Sequence, residues 1–260
     1  PPCNPTAAWT PGSLAVASSA SVAAAPSVAA APKYTIEQLL KVRRASAARA
    51  LDDKRFLYLY DAPGTAQLFS SPQFTVDSAG GLHETPARQL TSFTDRISSF
   101  RLAPDGKRVI FTKDEGGDEN DQLLRLDLDD PAAVPVAITA APKVKHTLPT
   151  FDDAGSRIAY TSNARNGKDM DLWVTSFSTG KVIAKPEVKE KPFLALSGSH
   201  HVSDFRDTRV LLVEARSNVD QDLWLVDAKS KAKRLLTQHP RATPERYLGA
   251  RIVLQGIAHL

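Results

Sequence analysis

The chain has 260 residues, a formal net charge of +4 and 24% charged residues, enough length to bury a sizeable core and no compositional case for disorder over most of it. Lys and Arg are scattered, so the sequence pI of about 9.2 comes without the basic run or aromatic ladder that a nucleic-acid partner would need. The one cysteine, Cys3, excludes an internal disulfide and a cysteine-based zinc site.

Residues 1–33 read as a leader or linker without fixed structure. Leu14 to Pro32 is Ala, Ser, Val and Pro with no charge and no periodicity, and Pro26 and Pro32 interrupt it. It falls short of the roughly 20 strongly apolar residues of a membrane span. A secretory leader with small-residue cleavage sites and a flexible Ala/Pro linker both fit. The first reading would make the protein periplasmic or secreted, the second is compatible with the cytoplasm, and the absence of an initiating Met fits a fragment.

From Tyr34 to Ala45 the chain should form a short helix. Thr35 followed by Gln38 makes a capping box, and Ile36, Leu39, Leu40 and Val42 mark one apolar face. After it, runs of four to six β-branched and aromatic residues alternate with Gly, Asp, Asn and Pro, which is a pattern of strands and turns.

That pattern repeats. A basic residue heads an apolar strand at Arg55, Arg108, Arg157 and Arg209, at intervals of 53, 49 and 52, and a leucine opens the next strand at Leu68, Leu123, Leu172 and Leu223, at intervals of 55, 49 and 51. Two landmarks holding one period of about 50, with about four short strands per period, point to β-propeller blades. Runs such as Arg108 to Thr112 and Arg209 to Glu214 are apolar without alternation, as expected of a sheet covered on both faces. The predicted fold is therefore all-β: a partial propeller of about four four-stranded blades at 46–93, 94–142, 143–192 and 193–240, with a fifth beginning at 241–260. Asp105-Gly106 gives a tight turn before its strand, Asp153-Ala154-Gly155 should lengthen that turn by one residue, and Asp207-Thr208, lacking glycine, should be less regular.

Gln89-Leu90-Thr91 running through Pro104-Asp105-Gly106 to Gly116-Gly117-Asp118-Glu119-Asn120, together with the Tyr34 to Arg44 segment and Asp61 to Phe69, resembles the N-terminal propeller of bacterial prolyl oligopeptidase family serine peptidases of the dipeptidyl aminopeptidase or acylaminoacyl peptidase kind. The resemblance covers about 34 to 240. It implies an α/β-hydrolase domain with a Ser, Asp, His triad, and a propeller that caps it and admits short peptides. The G-x-S-x-G elbow of such a triad does not occur in 1–260, so on its own this chain should hydrolyse nothing. Ser199 beside His200 and His201 imitates a site without the elbow and is expected in a linker between blades. A self-standing periplasmic propeller that binds protein partners, and a truncated product without function, remain as alternatives.

Asp114, Glu115, Asp118, Glu119 and Asp121 form an acidic loop. Its carboxylates could meet a peptide's free amino group, with Asp118 and Glu119 the substrate-gating candidates, or simply be solvated. Their spacing fails the calcium-loop pattern, and His83, His146, His200, His201, His239 and His259 lack zinc-site spacing, so no metal or cofactor is expected. Trp173 and Trp224 hold equivalent places and should pack between blades. Propellers of this family close with seven or eight blades, about 350 to 400 residues, against about 205 in these repeats. An open arc would expose apolar blade faces and favour self-association.

Overall fold

The computed structural model describes residues 35–177 and 191–237; the expected leader at 1–33 and the fifth repeat at 241–260 lie outside the described residues. Two units separate, 1–42 and 43–260. The first contains α1, Ile36–Leu40. The capping box forms as read: the Gln38 amide donates to Thr35 Oγ1 at 3.1 Å and the Thr35 amide to Gln38 Oε1 at 2.9 Å. The helix is one turn long, and Ile36 and Val42, at the two ends of the expected apolar face, are exposed.

The second unit is a series of antiparallel sheets. β1 (Ala45–Ala50), β2 (Phe56–Tyr60), β3 (Gln67–Ser70) and β6 (Arg88–Gln89) make the first, with β4 (Gln73–Val76) and β5 (Leu82–Thr85) inserted as a separate hairpin. β7 (Ile97–Leu102), β8 (Arg108–Lys113), β9 (Gln122–Asp127) and β10 (Val136–Ala137) make the second. The third has three strands, β11 (Thr150–Phe151), β12 (Arg157–Ser162) and β13 (Asp171–Ser176), and a single bridge from Leu172 to Leu194 stands where a fourth would pair. The fourth is β14 (Ser199–Arg206), β15 (Arg209–Ala215), β16 (Gln221–Asp227) and β17 (Lys233–Leu235). First strands of adjacent sheets approach one another, β1 with β7 and β11 with β14. This is a partial β-propeller.

Side chains on a strand alternate faces, and here both faces are apolar because each meets a different neighbour. Val109 and Phe111 of β8 pack with Leu57, Leu59 and Leu68 of the first sheet, while Ile110 packs with Phe151, Ile158 and Tyr160 of the third. In β12, Ile158 and Tyr160 face back to the second sheet and Ala159 faces forward to Val210 and Leu212 of the fourth. Trp173 is the packing aromatic expected of it, stacked on Tyr160 at 6.4 Å and 11°. Trp224 is only half-buried; its Nε1 donates to Glu214 at 2.8 Å and Lys233 covers its ring.

The head arginines do more than open strands. Arg108 is held by Asp105 at 2.7 Å, and reaches into the third sheet's territory to donate to the Phe177 carbonyl at 3.3 Å and cover its ring at 4.8 Å. Arg157 repeats this one blade later: Asp152 holds it at 2.9 Å, and it donates to the Asp207 carbonyl and lies 5.0 Å over Phe205. Each is thus a guanidinium fixed by its own turn and clasped onto the next. The turns also correct an expectation. Gly155 sits where Gly106 sits, both at positive φ, and the loop is no longer: the Asp152 amide bonds the Arg157 carbonyl as the Ala103 amide bonds that of Arg108. A Cβ on Gly155 would lie 3.1 Å from Pro104 Cδ of the preceding turn, so this glycine answers both a backbone and a packing demand. The Asp207-Thr208 turn is not looser but tighter, a two-residue hairpin between Arg206 and Arg209, with Asp207 taking the positive φ of 49°.

Polar groups close the blades. Thr91, Thr139 and Thr237 accept the amides of Leu68, Leu123 and Leu223 through their hydroxyls. Beside those leucines, the Gln67 side chain bonds Thr91 and the backbone of Phe93 and Asp95, and Gln122 bonds Thr139 and the backbone of Ala141 and Val144. In the third and fourth sheets an aspartate takes that place and pairs with an arginine, Asp171 with Arg165 and Asp222 with Arg216, both at 2.7 Å.

His146 lies at the seam between the second and third sheets, 1% exposed, edge-on to Tyr160, with neither ring nitrogen hydrogen-bonded. Burial pushes its pKa from 6.5 down to about 4.

Two predictions follow from this architecture. Arg157→Ala should lower stability by roughly 1–3 kcal/mol in urea melts, because it removes a clasp and leaves the buried Asp152 carboxylate short of a partner; Arg55→Ala, which breaks only an exposed pair with Asp52, should cost less than about 0.5 kcal/mol. Equal losses would remove the clasp from the account. For His146 the neutral ring is the folded form, so the unfolded chain binds more protons between the two pKa values and stability falls as pH drops from 6.5 towards 4. The loss over that window should be roughly 3 kcal/mol. His146→Gln should flatten it, read as the difference in slope between the two stability profiles; parallel profiles would contradict the assignment.

Candidate functional site

The acidic loop connects β8 to β9, and its shape comes from left-handed backbone at Gly116, Gly117 and Glu119. Two glycines adopt that conformation at little cost; Glu119 does so with its amide donating to buried Asp114 at 3.2 Å. The Asp118 carboxylate accepts from the side chain and the amide of Asn120 at 3.0 and 2.9 Å, and these bonds, the side chain's first, hold it below the usual carboxylate range. Asp95, from the preceding connection, accepts the Gly116 amide and lies 3.5 Å from Lys113. Asp121 turns the other way, taking the Ser98 hydroxyl at 2.8 Å, and burial raises its pKa.

Beside this loop is a cleft of about 270 Å³. Phe93, Leu124 and Pro142 give it an apolar wall, and Lys113, Glu115 and Asp118 a charged rim. The structure therefore brings Asp118 and Glu115 to one opening and leaves Glu119 outside its lining. A carboxylate pair above an apolar wall is chemistry for an ammonium group carried on an apolar body. No group of three His, Cys, Asp or Glu converges on a metal-sized site among the described residues.

Ser199 is not in a linker. It is the first residue of β14, exposed, and paired with Ala215. His200 beside it points the opposite way and is buried, its carbonyl accepting the Thr161 hydroxyl at 2.7 Å. Burial lowers the pKa of His200 and His201. Successive strand residues face opposite sides, which separates Ser199 from His200 despite their adjacency.

A second cleft, of about 490 Å³, lies where β1 meets β7 and is bordered by Arg44 and Arg96. Leu59, Ala66 and Ile97 give it some apolar lining, but no apolar periodicity marks it in the sequence. The available signal is spacing: the two arginines stand 52 residues apart, as Arg157 and Arg209 do.

No protein-family model and no curated protein sequence matches the chain. Its fold is similar to that of solved propeller proteins. One is a prolyl endopeptidase, from a study of inter-domain dynamics in catalysis and specificity, with a TM-score of 0.52 and 14% identity over 76% of this chain and 30% of that one. Another is an oligogalacturonate lyase in complex with manganese, with a TM-score of 0.51 and 14% identity over 73% of this chain and 51% of that one. The chain thus spans about half the length of the lyase and less than a third of the endopeptidase. Identity this low speaks for fold alone, and the fold is that of consecutive β-propeller blades, shared by prolyl oligopeptidase family peptidases and related propeller proteins.

Proposed function

We propose that the chain is the propeller portion of a serine peptidase of the prolyl oligopeptidase family, admitting short peptides and refusing folded proteins, while an α/β-hydrolase domain supplies the chemistry. The observation that carries this reading is the cleft at the acidic loop: the segment with the family resemblance, Gly116 to Asn120, contributes Asp118 and Asn120 to an opening that also carries Glu115 and has an apolar wall. The blade fold in common with a prolyl endopeptidase supports it. Under this reading the rim receives the substrate's free amino group. Partners are then a peptide and the hydrolase domain, with association through uncovered blade faces when that domain and the remaining blades are missing.

Residues 1–260 alone should turn over no aminoacyl or peptidyl chromogenic substrate above a buffer blank. Turnover that is lost in Ser199→Ala would overturn this. Reading the DNA downstream of the Leu260 codon in every frame should find a G-x-S-x-G segment, and its absence there would favour a self-standing propeller.

In the peptidase that carries this propeller, Asp118→Asn should raise KM for substrates with a free α-amino group by about tenfold, the equivalent of about 1.4 kcal/mol, and leave N-blocked substrates unchanged. Glu119→Gln, outside the cleft lining, should have the smaller effect. Equal effects on both substrate types would return the loop to a purely solvated role.

A further inference from the structure

We propose that the cleft between β1 and β7, bordered by Arg44 and Arg96, is a binding site for a carboxylate-bearing ligand. The inference is independent of the peptidase reading, because it uses neither the acidic loop nor a hydrolase domain.

The repeat itself builds the site. Arg44 precedes β1 and Arg49 lies within it; Arg96 precedes β7 and Arg101 lies within it, and each pair is offset by the same 52 residues. Adjacent blades therefore present the same two cations along neighbouring first strands, which approach one another. Many of the other arginines are neutralised, though Arg88, Arg209 and Arg234 form no ion pair among the described residues either. Arg55, Arg108, Arg157, Arg165, Arg206 and Arg216 are all in ion pairs with aspartates. Arg44, Arg49, Arg96 and Arg101 form no ion pair among the described residues. Arg101 is half-buried, and its pKa is lowered by that burial first and by neighbouring Arg49 second, with Asp204 opposing. Arg49 and Arg101 lie outside the cleft lining; they show that the neighbouring first strands hold like charges close together, a setting in which an anion is favoured.

The cleft's other polar groups suit the same ligand. Ser46 and Thr65 line it; Thr65 Oγ1 accepts from Gln67 at 3.0 Å, which leaves its own hydrogen free to donate. Asp61 is its one carboxylate, and Oδ1 is occupied by the Arg44 amide at 2.7 Å. Two guanidinium groups against one carboxylate leave a surplus of a single positive charge. That matches a monoanionic carboxylate, which a guanidinium grips with two parallel bonds, better than a phosphate dianion, which Asp61 would repel more strongly. A volume of about 490 Å³ is in the range of small-molecule sites. The carboxylate could come from a peptide C-terminus or from an acidic sugar.

Titration calorimetry on residues 1–260 at low salt separates these sources: N-acetyl-trialanine against its C-terminal amide, glucuronate against glucuronamide, and inorganic phosphate. One or both acids should bind, with the matching neutral amide at least about tenfold weaker, and the acid that binds names the source. Arg44→Gln and Arg96→Gln should each weaken that binding by about tenfold, while Lys229→Gln, exposed and far along the fourth sheet, should leave it unchanged. Both arginines are exposed, and unchanged thermal melts will show that the variants fold. Binding by neither acid, equal binding by the amides, tighter binding by phosphate, or indifference to the arginine substitutions would each overturn the proposal.

Discussion

A middle strand apolar on both faces cannot be buried by its own sheet. β8 sends Val109 and Phe111 one way and Ile110 the other, and β12 divides Ile158 and Tyr160 from Ala159 in the same manner. Burial of each such side chain contributes on the order of 1.5–3 kcal/mol, but only with a neighbouring sheet on each side. Repetition is the consequence. Every unit must bring equivalent middle strands, at nearly the same spacing, so that its faces meet the faces beside it. The constancy of the head-arginine and opening-leucine intervals is the trace of that requirement in the chain.

Covering apolar faces leaves the strand ends and connections to be satisfied in some other way, and the blades use a repeated polar frame. The threonine hydroxyl that takes the leucine amide fixes the closing segment against the third strand. The adjoining Gln ties down the connection that follows in the first two blades; in the third, Asp171 and its Arg165 hold Leu196 of the connection that follows, and in the fourth Asp222 holds Arg216 of the connection that precedes its strand. Because a buried polar group without a partner costs about 1–3 kcal/mol, these side chains hold the loops in definite places, and the two clefts are formed where such held loops meet the first strands or the β8–β9 connection. The sites are thus by-products of how each blade closes.

Legibility in the sequence followed the same physics. The second and third strands of each unit could be read because burial on both faces makes them apolar runs, and the α1 capping box could be read because its two residues act locally. Matching dipeptides does not reveal the turn at 153–155: the structural equivalent of Asp105 is Ala154, and Asp152 takes over the role of holding the arginine. The β4–β5 hairpin was not foreseen, since its strands pair only with each other and leave Phe74, Val76 and Leu82 exposed. β1 is mostly exposed and carries no hydrophobic pattern, and the apolar residues of β7, Ile97 and Phe100, report its packing and not its arginine, so apolar periodicity does not mark the Arg44 and Arg96 cleft. Of the acidic loop, the sequence could name the carboxylates but not which of them the left-handed backbone turns towards the cleft.

The clasps of Arg108 and Arg157 run in one sense only, from a blade's own turn onto the blade that follows. Such a contact is heterologous: donor and acceptor are different surfaces, and rotation by a half-turn does not superpose one on the other. A surface that gives the guanidinium can be extended only by one that offers a carbonyl and an aromatic ring, so successive blades are ordered like links with a hook at one end and an eye at the other. Association of two copies through a pair of identical blade faces would forgo this contact, whereas a blade gained by duplication within the chain would bring both hook and eye with it. Growth and closure by whole repeats are therefore built into the arginine's position, which makes the number of blades easier to change than the direction in which they are joined.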